Sequence, residues 1–339
     1  MHRLHTRVLA ALVAAAAALA VPVSGQPGGG SIATGLVFLP NPVAALQDQT
    51  LTDQKDADYP ALAPAYRRVT LTNLDGSGYL RGDWAIIRSN TGSPAFSAAG
   101  RFDYTRHDDE FEQVMAYYWI TEAQNYLQRL GFGTGLFPPV NKEAQRVRIN
   151  QWGADNSFFT DKQDELRFGK GGVDDAEDAE VILHEYGHAM QDSQQTPFGF
   201  GFSEEAGAIG EGFSDYWAVT VSSLIAPTPD PACVADWDST SYTSKAPHCL
   251  RRVDTNLHYP QDLKGEVHYD GQLWARALWD IRKAIGATQA DTVIVNAHFG
   301  MPDPTMPELA AKTVAVARQI YGNGVATKVK AAFAARGIL

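Results

Sequence analysis

His184, Glu185 and His188 stand in the stretch Asp178-Ala-Glu-Val-Ile-Leu-His-Glu-Tyr-Gly-His-Ala-Met-Gln-Asp192. The histidines are four residues apart. On a helix that spacing stacks them on one face, where two imidazoles can hold a single zinc ion from one rigid element. Glu185 lies beside them, placed to act as a base on a zinc-bound water. The H-E-x-x-H pattern is short, so its surroundings must decide. Val181, Ile182, Leu183 and Met190 supply apolar flanks for burial. Asp174, Asp175, Glu177 and Asp178 precede the histidines, where acids favour a helix N-terminus. The competing reading is a surface helix with a structural histidine pair.

A third ligand must come from elsewhere. Gln191 and Gln194 fill the places where a metzincin carries Gly and His, which excludes that class. Downstream, Gly207-Ala-Ile-Gly-Glu-Gly-Phe-Ser-Asp-Tyr-Trp217 brings Glu211 and Asp215, again four apart on an expected helix. One carboxylate would complete a His₂Glu set with a fourth position open to water. The other would accept the free N–H of a ligating histidine and fix its tautomer. Glu204 and Glu205 are rivals for the ligand role; the small residues around Glu211 allow close helix packing and favour it.

HEYGH followed by GAIGEGFSD resembles the gluzincin zinc peptidases of the thermolysin and fungalysin type. The resemblance implies zinc ligands at His184, His188 and Glu211, a general base at Glu185, and Asp215 supporting a ligand histidine. It implies an α+β, thermolysin-like fold with a β-rich N-terminal part, a helical C-terminal part and the zinc helix in the cleft between them. The activity it implies is that of a secreted zinc endopeptidase acting on protein or peptide substrates. Val267-His268-Tyr-Asp-Gly271 is similar to the stretch whose histidine stabilises the transition state, which makes His268 catalytic, with Asp262 to orient it. Arg252 matches the family arginine that contacts substrate, and Arg251 beside it is the alternative. Asn156, Ser157 and Phe158 are similar to a cleft-edge strand that pairs with extended substrate; an ordinary edge strand is the other reading. Phe202 departs from the pattern. It stands where the transition-state tyrosine is expected, and phenylalanine cannot donate a hydrogen bond. Calcium is a second implied cofactor, since exported relatives often use it, although the chain has no D-x-D-x-D-G loop.

The elements that must position these residues are legible by pattern. Residues 1–25 read as a secretory signal. Arg3 and Arg7 precede an uncharged Ala/Leu/Val run from Val8 to Val21, too short for an ordinary membrane span and followed by small residues for cleavage. An uncleaved anchor is the competing reading. Cleavage would leave an exported chain with no membrane attachment. It would also take the formal charge from −11 to −13 by removing the two arginines. That acidity, with no Lys/Arg cluster, argues against nucleic acid. About 310 residues then remain, enough for two subdomains around a cleft, and a monomer is expected.

Residues 26–106 form a β-rich N-terminal region, either part of the enzyme or a propeptide-like piece. Residues 107–192 form the catalytic N-terminal subdomain with the zinc helix, and 193–339 a helical C-terminal subdomain. Phe111, Val114, Met115, Tyr118, Trp119, Ala123, Tyr126 and Leu127 recur at helical spacing over about 108–130, closed by Gly131. Leu273, Trp274, Ala277, Leu278 and Ile281 mark a second buried face that ends near Gly286. Thr196-Pro-Phe-Gly-Phe-Gly-Phe202 reads as a loop. Cys233 and Cys249 are the only cysteines, and an even pair in an exported chain predicts a disulfide closing the Pro/Ser/Thr-rich stretch 226–250. His248 and His258 read as solvated loop residues.

Two other functions fit these residues. An aminopeptidase would use Glu204 or Glu205 to hold the substrate amine. A non-catalytic zinc-binding module would have no need of Glu185.

Overall fold

Residues 32–88, 92–195 and 203–339 are described by the computed structural model. The expected signal segment, and Phe202 with its loop, lie outside them. Strands come first. β1 (Thr34–Phe38) pairs antiparallel with β2 (Tyr66–Thr70), and its other edge takes β4 (Arg101–Phe102) in parallel. A second sheet runs β3 (Ala85–Ile87), β5 (Gln145–Arg148), β7 (Glu165–Arg167) and β6 (Phe158–Thr160). β6 is antiparallel to β7 and has no further strand partner among the described residues.

Between these sheets in the sequence lies α2 (Glu110–Leu130), which follows a short α1 (Pro42–Leu46). Its apolar stripe is buried as the spacing predicts, and Gly131 ends it at φ 101°, a left-handed conformation that only glycine adopts freely. Gly35 of β1 lies so close to α2 that an added Cβ would stand 2.6 Å from Val114 Cγ1. β1 is thereby packed into the core. Val37 and Phe38 have no exposed surface.

The helical half follows: α3 (Ala179–Ser193), α4 (Glu204–Ile225), α5 (Val267–Ile285), α6 (Ala287–His298), α7 (Met306–Tyr321) and α8 (Asn323–Ala334). Four of these starts, those of α3, α4, α5 and α7, carry a side-chain cap. The Asp178 side chain caps α3, Ser203 caps α4, Glu266 caps α5, and Thr305 with Glu308 forms a reciprocal capping box on α7. Asp291 of α6 accepts hydrogen bonds from Tyr126 of α2 and Tyr216 of α4, joining the two halves through one buried carboxylate. Between α4 and α5 a short ribbon pairs β8 (Cys233–Val234) with β9 (Arg251–Arg252), and the Cys233–Cys249 disulfide closes its loop. A closed loop of this length is worth about 3 kcal/mol through the entropy it removes from the unfolded chain. His248 departs from the expectation of a solvated residue. It is buried, and its Nε2–H donates to the Gln49 carbonyl at 3.1 Å.

The zinc helix is welded to the N-terminal part. Ala179 N–H donates to Pro40 O, and Asn41 Nδ2 donates to both Asp178 Oδ2 (3.2 Å) and Asp236 Oδ1 (2.5 Å). Arg106, also buried, pairs with Glu177 and Asp53.

Candidate active site

α3 and α4 approach closely because glycine permits it. A Cβ on Gly187 would sit 2.7 Å from Ser214 Oγ. α5 crosses α4 in the same way: a Cβ on Gly212 would fall 2.2 Å from the Gly271 carbonyl oxygen. Three helices therefore meet backbone to backbone, and the polar side chains flanking these contacts converge.

His184 Nε2 lies 3.2 Å from His188 Nε2 and 3.3 Å from Glu211 Oε2, and His188 Nε2 lies 3.4 Å from Glu211 Oε1. Donors on neighbouring vertices of a tetrahedral zinc with Zn–N near 2.0–2.1 Å are separated by about 3.3 Å. The donor set and its spacing fit that ion. The tautomer agrees: His184 Nδ1–H donates to Asp215 Oδ1 at 2.8 Å, so Nε2 directs its lone pair at the other two ligands. Electron pairs converging in this way repel unless a cation lies between them. Burial opposes charge on the His184 imidazole, yet Asp215 and Glu211 push its pKa up to about 10, so without a metal a proton on Nε2 takes the cation's place. Burial likewise opposes charge on Glu211, and the two imidazoles still hold it well below the usual carboxylate range. The site calls for positive charge. Asp215 completes the shell; against its burial, the Arg251 guanidinium and His184 hold it at about 2.

These groups open into a cavity of about 270 Å³ that also takes in Glu185, Asn156, Ser157, Arg251 and His268. Glu185 Oε2 is buried with no hydrogen-bond partner among the described residues. His268 Nε2 points toward the ligands, 3.6 Å from Glu211 Oε2. Ser157 donates to Asp175, while Asn156 is exposed at the start of the unpaired β6 edge.

Two expectations are corrected. Asp262 does not orient His268; it accepts from the His258 backbone N–H at 2.8 Å. Glu266 takes that place, accepting His268 Nδ1–H at 2.7 Å while it caps α5. Arg252 does not face the cavity. Neighbouring side chains on a strand point to opposite faces, and in β9 Arg252 turns outward to Asp230 and Asp254. Arg251 turns inward, with Nε and Nη2 donating to the two Asp215 oxygens at 2.6 and 2.7 Å. Glu266 had one sequence signal, an acid two residues before His268 at a helix start. Glu204 and Glu205, the rival ligands, are not among the described residues lining the cavity; Glu205 accepts from Met306 N–H instead.

The sequence profile of the fungalysin metallopeptidase family matches residues 105–338. The chain belongs to that family. It is a zinc metalloendopeptidase, and His184, His188 and Glu211 fit the zinc site that the family requires. Among solved structures it is similar to the precursor of protealysin, a metalloproteinase from Serratia proteamaculans, at 17% identity and a TM-score of 0.60, covering 84% of this chain and 96% of that one. That likeness shows the α+β fold, strands leading and helices following, in this member of the fungalysin family. Among curated proteins nothing matches.

Proposed function

We propose that this chain is exported and hydrolyses internal peptide bonds with Glu185 as general base, His268 as oxyanion donor and Arg251 as a substrate contact. The observation that carries the reading is the unpartnered Glu185 carboxylate beside three converging ligand atoms in an open cavity. Zinc bound there would supply Lewis-acid polarisation of the scissile carbonyl and acidify a water. Glu185 takes the proton of the attacking water at its free oxygen and passes it to the leaving amine. His268, oriented by Glu266, turns Nε2 toward the ligands and offers a hydrogen bond to the developing oxyanion, an interaction of about 3–4 kcal/mol in comparable sites. Arg251, anchored on Asp215, offers its guanidinium to a substrate carbonyl. The free edge of β6 offers backbone N–H and C=O groups to an extended peptide. An endopeptidase is favoured over an aminopeptidase because neither Glu204 nor Glu205 is among the described residues lining the cavity.

Export and a monomeric state are part of this reading. Export is supported by the secretory pattern of residues 1–25, and no described helix is long and apolar enough to cross a membrane. Besides the three aspartates Asp155, Asp175 and Asp238 at the cavity, a carboxylate group with the right chemistry for calcium is Asp109, Glu112 and Asp174. These carboxylates converge, and both oxygens of the fully buried Glu112 have no hydrogen-bond partner among the described residues.

The test compares wild type with Glu185→Gln on a peptide blocked at both ends, alongside zinc content. Wild type is expected to cleave internally, and the variant to keep one zinc while losing at least about a thousandfold in rate. Zinc-loaded wild type that cleaves only peptides with a free N-terminus overturns the endopeptidase assignment. A variant as active as wild type removes Glu185 from the mechanism.

A further inference from the structure

The cavity holds more acid than the reaction uses. Asp175, just ahead of α3, and Asp238, in the disulfide-closed loop, both line it. Their exposures are 2% and 3%. Each has an oxygen, Oδ1, that is buried with no hydrogen-bond partner among the described residues. The other Asp175 oxygen accepts from Ser157. Asp155 stands with them, its carboxylate bonded to the Tyr242 hydroxyl, and oxygens of the three acids lie within 4.8 Å of one another. The positive side chain of the cavity, Arg251, is engaged by Asp215.

A buried carboxylate without a partner is costly. Here two are paired back to back where a ligand can reach them. Burial, joined by neighbouring acids, pushes Asp175 up to about 7 and Asp238 higher than its ordinary range. Beside the Ser157 and Tyr242 hydroxyls that bond to these acids, the cavity lining includes aliphatic side chains: Val181 from α3, Val234 and Ala235 from β8 and the turn after it, and Leu250 beside Arg251. Apolar walls leading to a carboxylate pair match one kind of peptide side chain, a methylene stem that ends in a cation.

We propose that this end of the active-site cavity is a specificity pocket for lysine or arginine next to the cleaved bond, with Asp238 and Asp175 receiving the charged head. The proposal rests on the peptidase reading and deepens it by naming the substrate class. A bare divalent cation is the rival occupant. The Ser157 and Tyr242 hydroxyls beside these acids could serve such an ion as well, but only an alkyl stem makes use of the aliphatic side chains of Val181, Val234 and Leu250 that line the same cavity.

The experiment uses full-length zinc-loaded protein and three blocked peptides that differ at one position flanking the cleaved bond: lysine, the uncharged isostere norleucine, or glutamate. Wild-type kcat/KM is expected to favour lysine over norleucine by roughly 10–100-fold, the range of a charge-assisted hydrogen bond, with glutamate poorest. Asp238→Asn and Asp175→Asn each lower the lysine-to-norleucine ratio by about tenfold or more. Norleucine equal to or better than lysine in wild type overturns the pocket while leaving the peptidase standing. Binding of the same peptides to Glu185→Gln, measured by calorimetry, separates the two readings. Lysine-selective binding without any wild-type turnover keeps the pocket and rejects the peptidase. Unselective binding rejects the pocket. Calcium binding to zinc-loaded protein that vanishes in Asp238→Asn assigns the cluster to a metal and also overturns the proposal.

Discussion

At the scale of single residues, the site separates groups by which way neighbouring side chains point. Arg251 and Arg252 are adjacent and identical in type, yet the pleat of β9 sends one to Asp215 and the other to Asp230 and Asp254. Arg251→Ala is therefore expected to lower kcat/KM by about 10²-fold, since it removes a substrate contact and also leaves the Asp215 carboxylate buried without its cation. Arg252→Ala, which breaks a half-exposed ion pair, is expected to change kcat/KM less than about threefold. Equal effects of the two substitutions would refute the assignment. The sequence left this pair open because a two-residue strand has no periodicity from which a face can be read. The metal ligands were legible for the opposite reason: His184 and His188 fall on one helical face, and glycines flank Glu211. Asp175 was misjudged. It reads as one of several acids before a helix, but Asp178 does the capping and Asp175 is turned into the cavity. Asp262 is expected beside His268 from carboxylate type and rough proximity, which carry no direction; the N-cap geometry of α5 supplies it and brings in Glu266.

At the scale of elements, glycines set the distances that chemistry needs. Gly212→Ala would drive a methyl group against the Gly271 carbonyl oxygen, so α4 and α5 must separate. It is expected to cost about 1–3 kcal/mol in urea unfolding and to weaken zinc retention as Glu211 shifts. Gly324→Ala in α8, where an added Cβ meets nothing within 4 Å, is the contrast and should be neutral or slightly stabilising. Long elements such as α2 and α5 were readable from spacing alone, because each buries one continuous stripe. The β-rich character of the N-terminal region is readable from composition, but strand pairing is not: β3, β5, β7 and β6 are not in sequence order, and long-range order of that kind leaves no local trace. The start of α2 also bears on calcium. If a cation bridges Asp109, Glu112 and Asp174, millimolar calcium should raise the melting temperature of wild type by several degrees. It should do little for Glu112→Gln. A melting temperature indifferent to calcium in both proteins rejects that site.

At the scale of the whole molecule, the two halves share one core, and some buried groups act on stability rather than catalysis. His298 of α6 is buried against Phe213, with ring centroids 4.4 Å apart. Burial, aided by Lys312, pushes its imidazole down to about 3. The unfolded chain then binds a proton that the native state refuses between the ordinary value, near 6.5, and about 3. Stability from this group is present above pH 6.5 and is lost as pH falls through that window, at up to about 1.4 kcal/mol per pH unit. His298→Asn should flatten the acid limb of the stability curve relative to wild type, measured by urea unfolding at fixed zinc. Parallel curves would show that His298 does not titrate as its burial demands.

The disulfide-closed loop divides labour along the chain. The metal is gripped by two long helices whose spacing is set by glycine contacts, while Asp238 hangs on a stretch pinned at its ends by Cys233 and Cys249. The first half of that stretch is not free to vary, because Ala235, Trp237 and Asp238 donate hydrogen bonds to Glu177, Asp178 and Glu180 around the start of the zinc helix. Its mostly exposed tip, residues 243–247, makes no such contact among the described residues. Substrate taste and metal grip are thus tethered to one another, and a descendant of this sequence could rewrite the tip alone, while a change nearer Asp238 would be felt at the catalytic helix.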